Sequence, residues 1–359
     1  MRSKEENIEL IKKLSDANGI SGFEDEVVAI CKEELADQCH FEEDTLRNLC
    51  FTAKNNLGDR PKVWLDAHTD EVGFIVQHLK NNGTMGFMPI GGWVPSTIPG
   101  SKVRIKDNQG TYISGVVASK PPHFMTDAEQ KQGPAISQMT IDVGACSLKE
   151  LKEDFDLSIA APVVPDVVCE YNEKSGLFLG KAFDCRIGVA ALIETVNQLE
   201  QETLDVDVVG SFTSQEEVGI RGARVAAQSL HGDVAIVFEG APADDTFYGE
   251  DQIQSGIKRG PMIRHFDVTM ISNPRLMKHV VNVAKTFDIP LQEAVRTGGG
   301  TNGSVIHLAK NGIPTVVISM PVRYVHSHHG YVAYEDYQQS VQLAKAIIKS
   351  LNADVIAGF

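Results

Sequence analysis

The sequence predicts an α/β protein: a mixed sheet flanked by helices, carrying an inserted small β-rich, barrel-like domain. Three observations lead there. Apolar runs of strand length alternate with helix-period segments along much of the chain, the pattern of a sheet covered on both faces. The stretch from about Gly73 to Pro165 breaks that pattern and is dense in turn signals. The composition is that of an ordinary globular chain, with 42% hydrophobic and 23% charged residues, and its 359 residues leave room for about two domains.

The elements follow in order. Ile8, Ile11 and Leu14 recur at helical spacing and predict an opening helix. Ser21 and Glu24 form a capping-box pattern ahead of Val27, Val28 and Ile30, which predicts a second helix capped by Ser21. Strands are expected at 63–67, 206–212, 234–238 and 315–319, each a buried-type apolar run. Helices are expected at 187–199, 223–230, 276–287 and 305–310, with a long closing helix at 334–351. Residues 1–72 and 166–359 thus read as one α/β domain. Within 73–165, Asn81-Asn82-Gly83, Gly91-Gly92, Pro99-Gly100 and Asn108-Gln109-Gly110 separate short apolar runs at 102–105 and 112–117. Only 148–155 reads as a helix there, so 73–165 is expected to be the inserted barrel-like domain.

Charge and cysteine use exclude several classes. Asp plus Glu number 48 against 33 Lys plus Arg, a formal net charge of −15, which is the wrong sign for general nucleic-acid binding. No apolar run approaches the ~20 residues of a membrane helix, and the mixed-charge N-terminus lacks the apolar core of a signal peptide. A cytoplasmic protein is expected. Cys31, Cys39, Cys50, Cys146, Cys169 and Cys185 include no C-x-x-C pair, so they read as reduced thiols rather than a cysteine-rich zinc site.

Five segments carry the candidate chemistry. His68 and Asp70 directly follow the strand at 63–67, where residues two apart share a face. A carboxylate beside a histidine orients the imidazole and raises its basicity toward a metal. Asp184 precedes the helix at 187–199; a helix-capping acid is the bland reading of it. Glu216 and Glu217 follow the strand at 206–212, Glu239 follows 234–238, and His326 lies with His328 and His329 past 315–319. Each segment alone also fits a solvated loop. Four of them follow the carboxyl ends of apolar strands, where open α/β sheets bind ligands, and the fifth precedes a helix. Two histidines with several carboxylates suit a borderline metal such as zinc, and one shared carboxylate would make a two-metal hydrolase.

These segments resemble the M42 family of metallo-aminopeptidases. The likeness rests on His68-Thr69-Asp70-Glu71-Val72-Gly73, Ala182-Phe183-Asp184-Cys185-Arg186, Gln215-Glu216-Glu217-Val218-Gly219-Ile220-Arg221-Gly222-Ala223 and Arg323-Tyr324-Val325-His326-Ser327. It spans essentially the whole chain in the family's order. The family includes glutamyl aminopeptidases, tetrahedral TET peptidases and members once labelled endoglucanases. The resemblance implies a zinc-peptidase-like catalytic domain with two divalent metal ions per subunit, zinc or cobalt foremost and manganese also compatible. His68 would bind one ion and His326 the other, with Asp184 bridging both. Glu217 and Glu239 would each complete one ligand set. Glu216 would be the general base and acid, and Asp70 would orient His68. The partners implied are short peptides and further copies of the chain, as dimers building a dodecamer through the 73–165 domain. Two positions depart from the family: Glu239 stands where it usually has Asp, and Asn302, in Gly299-Gly300-Thr301-Asn302, stands in an acid's place.

The expected function is therefore dinuclear, metal-dependent removal of N-terminal residues from short peptides. Glutamyl members of the family take acidic residues, which call for a cation. Lys258, Arg259 and Arg264 follow the Glu239 segment, and Arg264 is the candidate contact; a solvated basic patch is the competing reading. Two alternatives stand beside this function. One is a related metallohydrolase on the same fold, a carboxypeptidase, amidase or deblocking peptidase. The other is a non-catalytic scaffold. Glycoside hydrolysis needs a carboxylate pair but gives His68 and His326 no task.

Overall fold

A computed structural model describes residues 2–132 and 135–359. The chain opens with α1 (Lys4–Asp16) and α2 (Asp25–Glu34). The hairpin β1 (Cys39–Glu43) and β2 (Leu49–Ala53) and strand β3 (Lys62–His68) follow. Next come β4 (Gly73–Leu79), β5 (Thr84–Ile90), β6 (Lys102–Lys106), β7 (Tyr112–Ala118), α3 (Asp127–Gln132), β8 (Thr140–Asp142), α4 (Leu148–Glu153) and β9 (Pro162–Pro165). The chain returns through the hairpin β10 (Glu170–Asn172) and β11 (Leu177–Gly180) to α5 (Phe183–Leu199), β12 (Asp207–Thr213), α6 (Arg221–Ser229) and β13 (Val234–Pro242). A small subsheet of β14 (Met262–Asp267), β15 (Met270–Ile271) and β16 (Gln292–Val295) brackets α7 (Pro274–Thr286). The short α8 (Gly303–Ile306), β17 (Thr315–Arg323), β18 (Gly330–Ala333), α9 (Tyr334–Ser350) and α10 (Ala353–Ala357) complete it.

The main sheet is mixed, in the order β1-β2-β12-β3-β13-β17-β18-β11-β10, with β14 joined to β17. Its centre is parallel: β3 lies between β12 and β13, and β13 pairs with β17. Alternate residues of β13 feed opposite cores. Ile236 and Phe238 pack toward α1, α5 and α9, whereas Ala235 and Val237 pack toward α6 and α8. Burial on both faces explains why these strands read as continuous apolar runs. Strands β4-β5-β8-β7-β6-β9 close into a barrel around its own core, including Phe74, Met85, Ile105, Ile141 and Val163. Trp93 stacks on Phe74 there, and Trp64 is fully buried against the α6 and α8 face. Among the described residues no helix is long and apolar enough to cross a membrane.

Three local expectations need correction. The Ser21 hydroxyl does not cap α2; it donates to Asp70 Oδ2 at 2.6 Å, and Glu24 occupies the cap position. Asp70 is a buried carboxylate in need of donors, and satisfying it outweighs an exposed helix end. The capping box that does form is at Ser3 and Glu6 of α1. The helix expected over 305–310 is the single turn α8, starting two residues earlier. Strand β13 runs four residues beyond Phe238, because its ladder with β17 continues past the first carboxylate. The hairpins β1–β2 and β10–β11 and the β14–β16 subsheet had no apolar alternation strong enough to announce them.

Candidate functional site

Because β3, β12, β13 and β17 run parallel in register, their carboxyl ends reach one edge of the sheet together. His68 is the last residue of β3, and Glu216 and Glu217 lie just past β12. Glu239 sits inside β13, opposite Ser319 of β17. His326 lies in the turn after β17. Asp184 arrives from the other direction, at the start of α5. Its backbone is not helical, and the Asp184–Cys185 peptide bond is cis. Its carboxylate reaches the two histidines rather than capping the helix. Gly240 permits that placement: a Cβ there would stand 2.4 Å from the Phe183 carbonyl oxygen. Five non-glycine residues adopt left-handed backbone around this edge, Ala182, Gln215, Ile220, Tyr324 and His326. Strained backbone of that kind persists where packing over-determines it and concentrates at functional sites.

The sequence-predicted ligands converge. His68 Nε2 lies 3.0 Å from Asp184 Oδ1 and 3.4 Å from Glu239 Oε1. His326 Nε2 lies 3.1 Å from Glu217 Oε2 and 3.5 Å from Asp184 Oδ2. Asp184 therefore presents one oxygen to each histidine. Asp70 lies behind His68, with Oδ1 3.2 Å from Nδ1. Asp70 also accepts the backbone N–H of Glu216 at 2.9 Å and of Glu217 at 3.1 Å, besides the Ser21 hydroxyl. One buried carboxylate thus fixes both the imidazole and the loop carrying the two glutamates. The Glu216 carboxylate accepts no hydrogen bond from this cluster among the described residues and lines the cavity beside it.

The electrostatics follow from burying so many acids together. Burial, reinforced by the neighbouring carboxylates, pushes the Glu216 carboxyl well above the usual range, against the pull of His68. Glu217 is pushed up to about 7 by burial, with His326 opposing. Asp184 is also buried, yet hydrogen bonds from His326 and His68 hold it well below the usual carboxylate range. His326 is raised to about 11: burial works against its charge, but Asp184 and Glu217 prevail. Burial raises the Glu239 carboxyl, and His68 and Arg264 both pull it down against that. Two nitrogen donors, several carboxylates and the buried Glu217 Oε1, which lacks any hydrogen-bond partner, form a donor set that fits divalent cations.

A cavity of 820 Å³ opens from this cluster. Asp184, Glu216, Glu217, Glu239 and His326 line one end, and Phe247, Arg264, Arg296, the 297–300 loop and Tyr324 line the rest. Arg264 is inside it but is not free: Nη1 bonds Asp267 Oδ2 at 3.0 Å, while the buried Nε has no partner. Arg296 bonds Asp244 at 2.8 Å. Lys258 and Arg259 do not line the cavity, and Arg259 pairs with exposed Glu250. His328 turns away to the Lys102 carbonyl on β6, tying the His326 loop to the barrel. The barrel also approaches the cluster through Gly92, where a Cβ would stand 3.0 Å from His326 Nδ1.

Sequence reasoning missed the supporting residues. Asn302 donates to Asp66 Oδ2 and Thr213 Oγ1, both at 2.7 Å, joining β3 to β12 beneath the ligands. Glu24 accepts the Gln215 N–H at 3.1 Å and so holds the Glu216 loop from α2. Arg186, 1% exposed, spans backbone carbonyls of Leu14 in α1, Gly19 in the α1–α2 connection and Thr69. Each partner is distant in sequence, so no local spacing could have revealed them. Placing Glu216 and Asp70 required no such contact, because both lie within motif segments.

A family model described as M42 glutamyl aminopeptidase matches residues 48–343. The glutamyl aminopeptidase of Lactococcus lactis subsp. cremoris is 30% identical, covering 97% of each chain. The lysyl aminopeptidase of Pyrococcus furiosus is 33% identical, covering 96% of this chain and 97% of its own. The crystal structure of a TET aminopeptidase from Thaumarchaeota archaeon SCGC AB-539-E09 superposes with a TM-score of 0.94 at 37% identity over 99% of both chains. The Pyrococcus horikoshii TET1 peptidase, which can assemble into a tetrahedron or a large octahedral shell, superposes at 0.85 with 26% identity over 96% of this chain and 100% of its own.

Proposed function

The chain belongs to the M42 family of aminopeptidases, which are metallopeptidases, and on that premise we propose that it removes N-terminal residues from short peptides with two divalent ions. The observation that carries this reading is the single carboxylate, Asp184, presenting one oxygen to each of two histidines. His68 and Glu239 would hold one ion, His326 and Glu217 the other, and Asp184 both. Zinc or cobalt suits these mixed donors best, with manganese also compatible. When bound, such ions polarise a carbonyl and lower the pKa of water toward roughly 7.

The protein's own residues supply the rest. Glu216 lines the cavity beside the proposed ligands with no side-chain partner among the described residues, which leaves its carboxylate available to take a proton from water and return it to the leaving amine. Asp70 keeps His68 in one orientation and places Glu216 through its backbone N–H. The test is Glu216→Gln. It should retain two bound metals by elemental analysis while hydrolysis falls by about 10²-fold or more. Full turnover in the metal-loaded variant would remove Glu216 from the reaction.

Family membership leaves the side-chain preference open, since relatives of similar identity are named glutamyl and lysyl. We favour acidic N-terminal residues. Arg264 lines the cavity and keeps a buried Nε–H without a partner among the described residues, whereas Asp267 and Asp244 are each already paired with an arginine. Asp267 offsets much of the Arg264 charge, so the preference for glutamate over leucine should be about tenfold, the low end for a charged hydrogen bond. Arg264→Met should abolish the ratio without changing leucine release. The 73–165 barrel domain is proposed to mediate self-assembly, supported by the shells that the TET1 neighbour forms. The same proposal places the protein in the cytoplasm, where its free thiols stay reduced.

A further inference from the structure

Cys185 is a buried thiol that the reading above leaves without a task. Its Sγ, a His68 ring nitrogen and a Glu239 carboxylate oxygen all lie within 4.8 Å of one another, and all three residues are buried. Two donors on one zinc ion, with bonds of about 2.1 Å to nitrogen and about 2.3 Å to sulfur, stand at most about 4.4 Å apart. In a tetrahedral set the same bonds put the two donors about 3.6 Å apart, so an approach of up to about 1 Å brings the sulfur into the same ligand set. The thiol donates its S–H to the Phe238 carbonyl oxygen, 3.2 Å away, a weak bond whose loss costs little. The sulfur groups with His68 and Glu239.

We propose that Cys185 is a thiolate ligand to the ion held by His68 and Glu239, and that it biases this centre toward zinc or cobalt over manganese. The proposal rests on the two-metal reading above and deepens it. Binding exchanges the S–H bond for a sulfur–metal bond and releases one proton to solvent, so no oxidant or other reactant is needed. A soft sulfur donor added to imidazole and carboxylate shifts preference toward zinc and cobalt and away from manganese.

The test titrates cobalt(II) alone into the full chain under anaerobic conditions and records the absorption spectrum. Wild type should bind two equivalents, one of which develops a sulfur-to-cobalt charge-transfer band in the near ultraviolet. Cys185→Ser and Cys185→Ala should still bind two equivalents, show only the weak visible bands, and lose zinc-over-manganese discrimination by about tenfold or more. Two cobalt ions bound in wild type without the charge-transfer band would overturn the thiolate assignment and leave the two-metal reading standing. A band that persists in Cys185→Ser would overturn it equally. Failure of wild type to bind cobalt at all would overturn the two-metal reading and this assignment together. The wild-type spectrum decides the matter even if a variant folds poorly.

Discussion

Replacing Arg186 with methionine should unfold the framework behind the site before it touches any ligand. The guanidinium is 1% exposed. Its Nε bonds the Thr69 carbonyl at 2.8 Å, Nη1 bonds Leu14 at 2.8 Å and Ala17 at 3.2 Å, and Nη2 bonds Gly19 at 3.1 Å. Glu71 lies 3.4 Å from Nη2 and is shared with Lys181, itself buried. Thr69 sits between His68 and Asp70, and Arg186 is two residues past Asp184, so this one side chain joins both arms of the proposed centre to the α1–α2 connection. Four charge-assisted bonds at about 1.5–3 kcal/mol each would sum to more than is ever lost, because methionine also removes a buried cation's desolvation cost. Breaking a buried charged network from one side typically costs about 3–5 kcal/mol, and we expect about 4. Arg186→Lys keeps the charge but not the fork, and should recover roughly half of that loss. Guanidinium unfolding followed by tryptophan fluorescence, at one protein concentration and with chelator present, isolates this effect from metal binding. A loss below about 1 kcal/mol for methionine, or a lysine variant as stable as wild type, would refute the network's role.

Two further outcomes follow from single contacts. Gly240→Ala places a methyl group against the Phe183 carbonyl and the Asp184 backbone, so it should cost about 1–3 kcal/mol and weaken metal binding more than tenfold in competition with a chelating dye. Unchanged affinity would mean that Asp184 tolerates displacement. Asp336 accepts backbone N–H groups of Lys258 at 2.7 Å and Gly260 at 2.9 Å, yet burial pushes its carboxyl up to about 7. Between about pH 4 and 7 the folded chain holds a proton that the unfolded chain, with an ordinary aspartate near 3.9, has released. This group's contribution is fully present below that window and fades as the pH rises through it. Asp336→Asn should flatten that part of the stability profile; a slope identical to wild type would show that Asp336 does not titrate there.

The central strands and the proposed site were legible for a common reason. Strands β3, β12, β13 and β17 are buried on both faces, so each reads as an apolar run, and the polar residues that interrupt each run mark the sheet edge where His68, Glu216, Glu217, Glu239 and His326 gather. The barrel was legible from its turns, because Gly83, Gly91, Gly100 and Gly110 all take left-handed backbone there. What could not be read was anything settled by contact between distant segments. Ser21 and Glu24 matched a helix cap, and only the fold shows that Asp70 and Gln215 claim their side chains. Arg264 read as a free cation because its partner's geometry, Asp267 folded back across the β14–β15 turn, is tertiary. Asn302 read as a defect in a family pattern; in place it is the donor that a buried Asp66 requires.

The claim on which all of this depends is that the cluster around Asp184 is a metal-dependent site acting at free peptide N-termini. The direct measurement is hydrolysis of matched free and N-acetylated short peptides by protein loaded with zinc or cobalt, beside a chelated control, with the released residues identified by mass. Stepwise loss of N-terminal residues from free peptides only, abolished by chelation and restored by added metal, is expected. Cleavage of the acetylated series, release from the carboxyl end, or turnover that survives chelation would contradict it.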